Sequence, residues 1–417
     1  MWQIIELNNR TGQAVSFSDG QPVGAERGGN GSSYRMVVNG FGFLDFTEIL
    51  YPLSQHFGLG SLDANGARLA YVATVAQLAL TLRPNGTFLV SLAGGPPVAG
   101  TLKPLPQVSS SDAQTLDQMM ALKIVPYQNI PDAPGKSTEE IAQLGRQLFP
   151  FSPYSFQLAM SIYDWTTADF ARMVFYKIFA YTGIPQSPTP LDLPSIANAI
   201  WTSNWPPYVP QNADYMNSFM MTPANSYQEV LDQLQNNYQE VQAFNESENR
   251  LLTAAFASMP RTSLIAEPLL YSGQVDIQNL GSQHFAPEFL QCPLNSGPVG
   301  VPLEMPLPDA LASFIVPGAL LTTKMVWSFG NSMAEAMEYQ NGIILIAQPP
   351  ATSLVWDAVS YITPLSDDPT KIEYTFAPGT SFLVKNVEPQ TISGKPVTVI
   401  TLEPQTPLPG FAAEGEA

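Results

Sequence analysis

The run Lys-Ile-Glu-Tyr-Thr-Phe-Ala-Pro-Gly-Thr-Ser-Phe-Leu-Val at residues 371–384 sets one carboxylate, Glu373, at the start of a strand and just ahead of a tight turn. Tyr374, Thr375 and Phe376 favour strand, residues 377–380 place Pro ahead of Gly, and residues 381–384 resume the strand pattern. A hairpin is therefore expected to present Glu373 rigidly, as a candidate for catalysis. By itself the same pattern also describes a solvated residue at a strand end. Other reactive residue types are less well arranged. His284 and Cys292 lie eight residues apart and could form a thiol–imidazole pair, but nothing in the sequence orients them. Asp367 and Asp368, followed by Pro369, read as a loop turn before they read as a metal site. The glycines of residues 28–31 lack the Lys and the strand-to-helix setting of a phosphate loop. One cysteine and two histidines leave no internal disulfide and no zinc cluster to expect.

The elements that must position these residues fall into blocks. Residues 1–106 read as an all-β module, with strands expected at 2–7, 14–17, 34–38, 80–82 and 87–91 and a short helix at 67–80. Residues 107–136 have the Pro- and Ser-rich composition of a linker, interrupted by one short helix near 116–122. A helical region follows at 137–225. It opens on the capping box Ser137-Thr-Glu-Glu140, carries Ile141, Leu144 and Leu148 on one face, and continues in a helix expected at 166–181. A second capping box, Ser226-Tyr-Gln-Glu229, opens a helix with Val230, Leu231, Leu234, Tyr238, Val241 and Phe244 on its buried face. A separate helix at 248–258 is followed mainly by strand-like segments. Helices leading into a strand-dense half predict an α+β domain over 226–409, with a tail at 410–417.

The chain has 417 residues, of which 45% are hydrophobic and 11% aromatic, enough for several packed cores in a multidomain protein. Asp and Glu outnumber Lys and Arg by 35 to 17, for a formal net charge of -18. Such a field repels phosphate backbones and anionic lipid, so no nucleic-acid partner is expected, and an anionic ligand would need locally placed donors. No apolar window is long enough for a transmembrane helix. The N-terminus lacks the pattern of a secretory signal, so the expectation is a cytoplasmic protein, with signal-less export as the other route.

Three C-terminal segments recur in a telling order. A helix ending at residues 254–260 precedes a strand with Tyr271-Ser272-Gly273; Gly318 leads through Lys324 to Trp327-Ser328-Phe329-Gly330 and then Met333-Ala334; and Glu373 precedes Phe376-Ala-Pro-Gly-Thr380. This arrangement resembles the ADP-ribosyltransferase fold of the Arg-Ser-Glu class, which includes bacterial mono-ADP-ribosylating toxins and vertebrate ecto-transferases. The resemblance spans residues 226–404. It implies NAD as a substrate, no metal, Glu373 as the catalytic carboxylate and Ser328 as its orienter. It also implies Tyr271, Ser272, Gly273, Trp327, Phe329 and Lys324 as the surroundings of the dinucleotide.

The chemistry implied is cleavage of the nicotinamide–ribose bond, in which positive charge builds on the ribose and a carboxylate beneath it stabilises the transition state. ADP-ribose would pass to a protein or to water. The sequence departs from the family at three points. Ser272 stands where the family has the Arg that clamps the diphosphate, Gly330 replaces a Ser, and Lys371 replaces the first Glu of Glu-x-Glu. Arg261 and Lys324 are the cations that could substitute for the missing guanidinium. These departures support an alternative reading, a silent binding or scaffold protein on the same fold. A third reading has the N-terminal module bind a glycan, a lipid or a protein and deliver a toxin-like C-terminal core.

Overall fold

The computed structural model describes strands within residues 2–101, then residues 105, 107–122, 125–126, 135–167, 194, 197–198, 201, 224–259, 269–275, 290–291, 315–323, 326–348, 359–377 and 380–405. The strands of the first block are β1 (Trp2–Asn8), β2 (Gln13–Ser18), β3 (Ser33–Val38), β4 (Gly42–Asp45), β5 (Leu78–Leu82), β6 (Thr87–Leu92) and β7 (Val98–Thr101). They form a four-stranded sheet in the order β2-β1-β3-β4 and a three-stranded sheet in the order β5-β6-β7. Residues 78–80, expected to end a helix, instead begin β5, where Leu78 is in register with Leu92 and Leu80 with Val90 in the ladder. Tertiary pairing overrides the helical propensity of an Ala-rich run.

Helices α1 (Ser110–Ala121), α2 (Thr138–Leu148) and α3 (Ser155–Thr166) follow. The capping box of α2 is complete: the Ser137 side chain accepts from the Glu140 N–H, and Glu140 Oε2 accepts from the Ser137 N–H at 2.7 Å. Gly145 lets α2 and α3 approach closely, because a Cβ there would lie 2.5 Å from the Ser155 carbonyl oxygen. The helix expected at 166–181 lies outside the described residues from 168 onward; Thr166 ends α3 and Thr167 is its extended C-cap.

Helix α4 (Tyr227–Ser258) is one continuous helix of 32 residues where two were expected. No Gly or Pro interrupts residues 227–258, so nothing in the sequence breaks the hydrogen-bond ladder between the two expected pieces. Its cap is only half of a box. Ser226 accepts from the Glu229 N–H, but the Glu229 carboxylate takes the Asn225 N–H at 2.7 Å.

The remaining elements are β8 (Leu270–Val275), β9 (Leu290–Gln291), β10 (Leu320–Thr323), β11 (Trp327–Gly330), α5 (Met333–Tyr339), β12 (Gln340–Ala347), β13 (Val359–Tyr361), a single 3-10 turn (Thr363–Leu365), β14 (Glu373–Phe376), β15 (Ser381–Ile392) and β16 (Lys395–Gln405). They build a mixed nine-stranded sheet in the order β13-β14-β11-β8-β12-β16-β15-β10-β9, in which β12 and β16 run parallel. Helices and sheet share one apolar core. Leu116 of α1, Ile141 of α2, Ile162 of α3 and Phe256 of α4 join Phe329, Phe376 and Phe382 of the sheet in a single buried cluster.

The hairpin expected around Glu373 is not formed. The turn itself closes, with the Thr380 N–H donating to the Ala377 carbonyl at 3.2 Å. The two strands then part: β14 lies between β13 and β11, whereas β15 lies between β16 and β10. An edge-on contact of Phe376 with Phe382, ring centroids 4.9 Å apart, holds the corner in place of a ladder.

Candidate active site

Strands β11 and β14 are antiparallel, with Trp327 opposite Phe376, Ser328 opposite Thr375, Phe329 opposite Tyr374 and Gly330 opposite Glu373. Side chains alternate along a strand and directly opposed residues share a face. One face of this ribbon is thus aromatic and the other carries Ser328, Glu373 and Thr375. On the polar face Ser328 Oγ donates to Glu373 Oε1 at 2.7 Å and lies 3.3 Å from Thr375 Oγ1. The Trp165 indole N–H, reaching in from the last turn of α3, donates to Ser328 Oγ at 2.9 Å.

The backbone of Glu373 is fixed on both sides. Its N–H donates to Thr363 Oγ1 at 2.8 Å, and its carbonyl accepts from the Ile362 N–H at 3.0 Å. The segment leading into β14 is anchored on α3 in turn: the Asp367 N–H donates to Thr166 Oγ1 at 2.9 Å, and the Tyr163 hydroxyl donates to Asp367 Oδ1. Desolvation and the Asp367 charge push the Tyr163 phenol well above its usual range, so it stays a protonated donor. Desolvation also raises the Glu373 carboxyl to about 7, against the opposing pull of the Ser328 hydrogen bond and the Lys371 charge. A carboxyl that exchanges its proton near neutrality inside a polar cluster is suited to proton transfer, or to stabilising positive charge once ionised.

Ser328 and Glu373 are therefore brought together. Tyr271 comes near them through the backbone, where it pairs with Gly330, while its side chain packs against the buried cluster of Ala336, Met337, Ile344, Val397 and Val399. Ser272 and Gly273 lie farther along β8, opposite Leu345 and Ile344. Among the described residues no hydrogen bond joins Ser272 to Ser328 or Glu373.

Trp327 and Phe329, expected beside the dinucleotide, lie in the apolar core. Both are buried, and Phe329 meets Phe376 edge-on at 5.2 Å on the face opposite Ser328. The strand period that puts Ser328 in the site turns its two neighbours away from it. Lys324, Arg261, His284, Cys292 and residues 28–31 lie outside the described residues. Lys371 is exposed, with Nζ 3.9 Å from Asp368 Oδ2. Asp368 Oδ1 accepts from the Thr370 N–H at 3.0 Å, the local turn its sequence predicts. Among the described residues no group of three His, Cys, Asp or Glu is placed to hold a metal ion.

Thr375 was readable from the sequence, two residues beyond Glu373 in a strand, although it was not singled out. Trp165 carried no such signal. It lies 163 positions from Ser328, outside the span of the resemblance.

No family model matches the chain and no curated protein matches it. Among solved structures the chain is similar to the type III effector XopAI from Xanthomonas axonopodis pv. citri, at 10% identity and TM-score 0.36, over 72% of this chain and 90% of that one. It is also similar to HopU1, an ADP-ribosyltransferase of Pseudomonas syringae pv. tomato DC3000, at 9% identity and TM-score 0.32, over 72% and 99% of the two chains. Vis toxin, an ADP-ribosyltransferase from Vibrio splendidus, matches at 13% identity and TM-score 0.30, over 67% and 90%. Similarity of this degree assigns neither activity nor substrate.

Proposed function

We propose that the chain is an ADP-ribosyltransferase-like protein that takes NAD as substrate, cleaves its nicotinamide–ribose bond and passes ADP-ribose to a protein or to water. The observation that carries this reading is the 2.7 Å hydrogen bond between Ser328 and Glu373 across β11 and β14. It supports the reading because two residues that the order of motifs pairs, 45 positions apart, are joined by a direct hydrogen bond. Ionised Glu373 would lie beneath the ribose and offset the positive charge that develops as nicotinamide departs. Its rigid backbone would hold that charge in place without reorganisation. The three-part layout of β module, helical region and C-terminal domain belongs to the same proposal, with the β module as the carrier of any glycan, lipid or protein contact.

A second reading, a silent binding or scaffold protein, is favoured by Ser272. A hydroxyl cannot form the paired charge-assisted hydrogen bonds that a guanidinium gives a diphosphate, and the protein's net charge of -18 adds repulsion. Nicotinamide release and calorimetric NAD binding by the wild type and by Ser272→Arg separate the two. Release by the wild type supports the enzyme; release only after Ser272→Arg supports the degenerate fold. Neither release nor binding in either protein removes NAD from the proposal.

A further inference from the structure

An indole N–H is a donor and nothing else, while a serine hydroxyl has one proton and two lone pairs. Because the Trp165 N–H donates to Ser328 Oγ at 2.9 Å, one lone pair of that oxygen is occupied from the helix side. The single Ser328 proton then has two acceptors in reach, Glu373 Oε1 at 2.7 Å and Thr375 Oγ1 at 3.3 Å. The shorter contact ends on a carboxylate, whose charge strengthens the bond it accepts.

The helix end that presents the indole is itself fixed. Tyr163 and Thr166, on either side of Trp165, bond to Asp367 in the segment leading to β14. Indole partners are not guaranteed in this fold: the N–H of Trp327, buried on the opposite face of the same ribbon, has no hydrogen-bond partner among the described residues.

We propose that Trp165 is a positioning residue for Glu373: by donating to Ser328 it directs the Ser328 proton onto Glu373 Oε1. This rests on Glu373 as the working carboxylate, but it concerns the hydrogen-bond chain and not turnover. Without the indole, Ser328 is free to turn, and Glu373 loses its donor for part of the time.

The test reads the folded full-length protein by NMR. In the wild type the Trp165 indole N–H signal is expected to move with pH at the Glu373 carboxyl midpoint, and to be flat in Glu373→Gln and in Ser328→Ala. Other ionisable groups on the neighbouring elements are Tyr163 and Asp164 on α3, Asp367, Asp368 and Lys371 before β14, Tyr271 on β8 and Glu335 on α5. Glu373→Gln leaves all of these in place, so it isolates the Glu373 titration.

The carboxyl midpoint, followed by carbon labelling of Glu, is expected to rise by roughly half to one pH unit in Trp165→Phe and in Ser328→Ala. The double variant should show no further rise, because Trp165 acts through Ser328. An indole signal that ignores the Glu373 titration in the wild type overturns the proposal, and this reading needs no folded variant at position 165. So does a Trp165→Phe midpoint equal to the wild type, or additive effects in the double variant. Nicotinamide release enters none of these readouts, so absence of NAD chemistry and absence of the relay are separate results.

Discussion

The two faces of the β11–β14 ribbon are built from adjacent residues and do opposite things. Trp327, Phe329, Tyr374 and Phe376 are buried against one another and against Phe382 and Tyr361. Ser328, Glu373 and Thr375, one residue away in each case, form a polar chain with Trp165 at its end. The aromatic face loses water on folding and supplies the packing free energy. The polar face supplies the titration near neutrality. Each depends on the other, since a carboxyl can be desolvated without being displaced only where the strand beneath it is held by packing. In this site the rigidity of the chemistry is made by the residues that cannot take part in it.

The largest effect should come from the polar face alone. Glu373→Gln is expected to lower NAD turnover by at least about a thousandfold while the circular dichroism and the melting transition persist. Replacing Phe376 by Ala reverses the pattern. It should cost about 3–5 kcal/mol of stability, seen as a lowered Tm, because a fully buried ring leaves a cavity between Phe329 and Phe382.

A pH profile sharpens the comparison further. If the ionised carboxylate is the working form, kcat/KM for NAD should rise about tenfold per pH unit below the midpoint and level off above about 7. A profile flat across neutrality would show that Glu373 does not control the step. The smallest effect concerns stability. The unfolded chain releases the Glu373 proton near 4.5 and the folded one near 7, so between these values the folded state binds more protons and stability falls as pH rises. Above about 7 the loss is complete. Glu373→Gln removes that slope, and should raise stability relative to the wild type by about 1–3 kcal/mol above neutrality and by little near pH 4.

Several elements beyond residue 136 were legible because their signals are local. The Ser137 capping box, the strand periods around Ser328 and Glu373, and the buried Val230, Leu234 and Phe244 of α4 all follow from residues a few positions apart. Glu373 and Ser328 were readable as partners only through the order of motifs, since their contact is long-range. What stayed hidden was of two kinds. The turn at residues 377–380 has hairpin chemistry, but the paths of β14 and β15 beyond it are set by pairing with distant strands, which no local pattern encodes. Trp327 and Phe329 flank Ser328, and the two-residue strand period turns both of them into the core. Trp165 was invisible for the opposite reason: its role depends on where α3 ends against β11, a fact of packing and not of sequence spacing.

The most direct test is to incubate the full chain and its Glu373→Gln variant with NAD near neutral pH and to follow free nicotinamide. Release by the wild type, with loss of release in a variant of unchanged Tm or higher, is the predicted result. Equal release from both proteins, or none from either, would contradict the assignment of the Ser328–Glu373 pair to NAD cleavage.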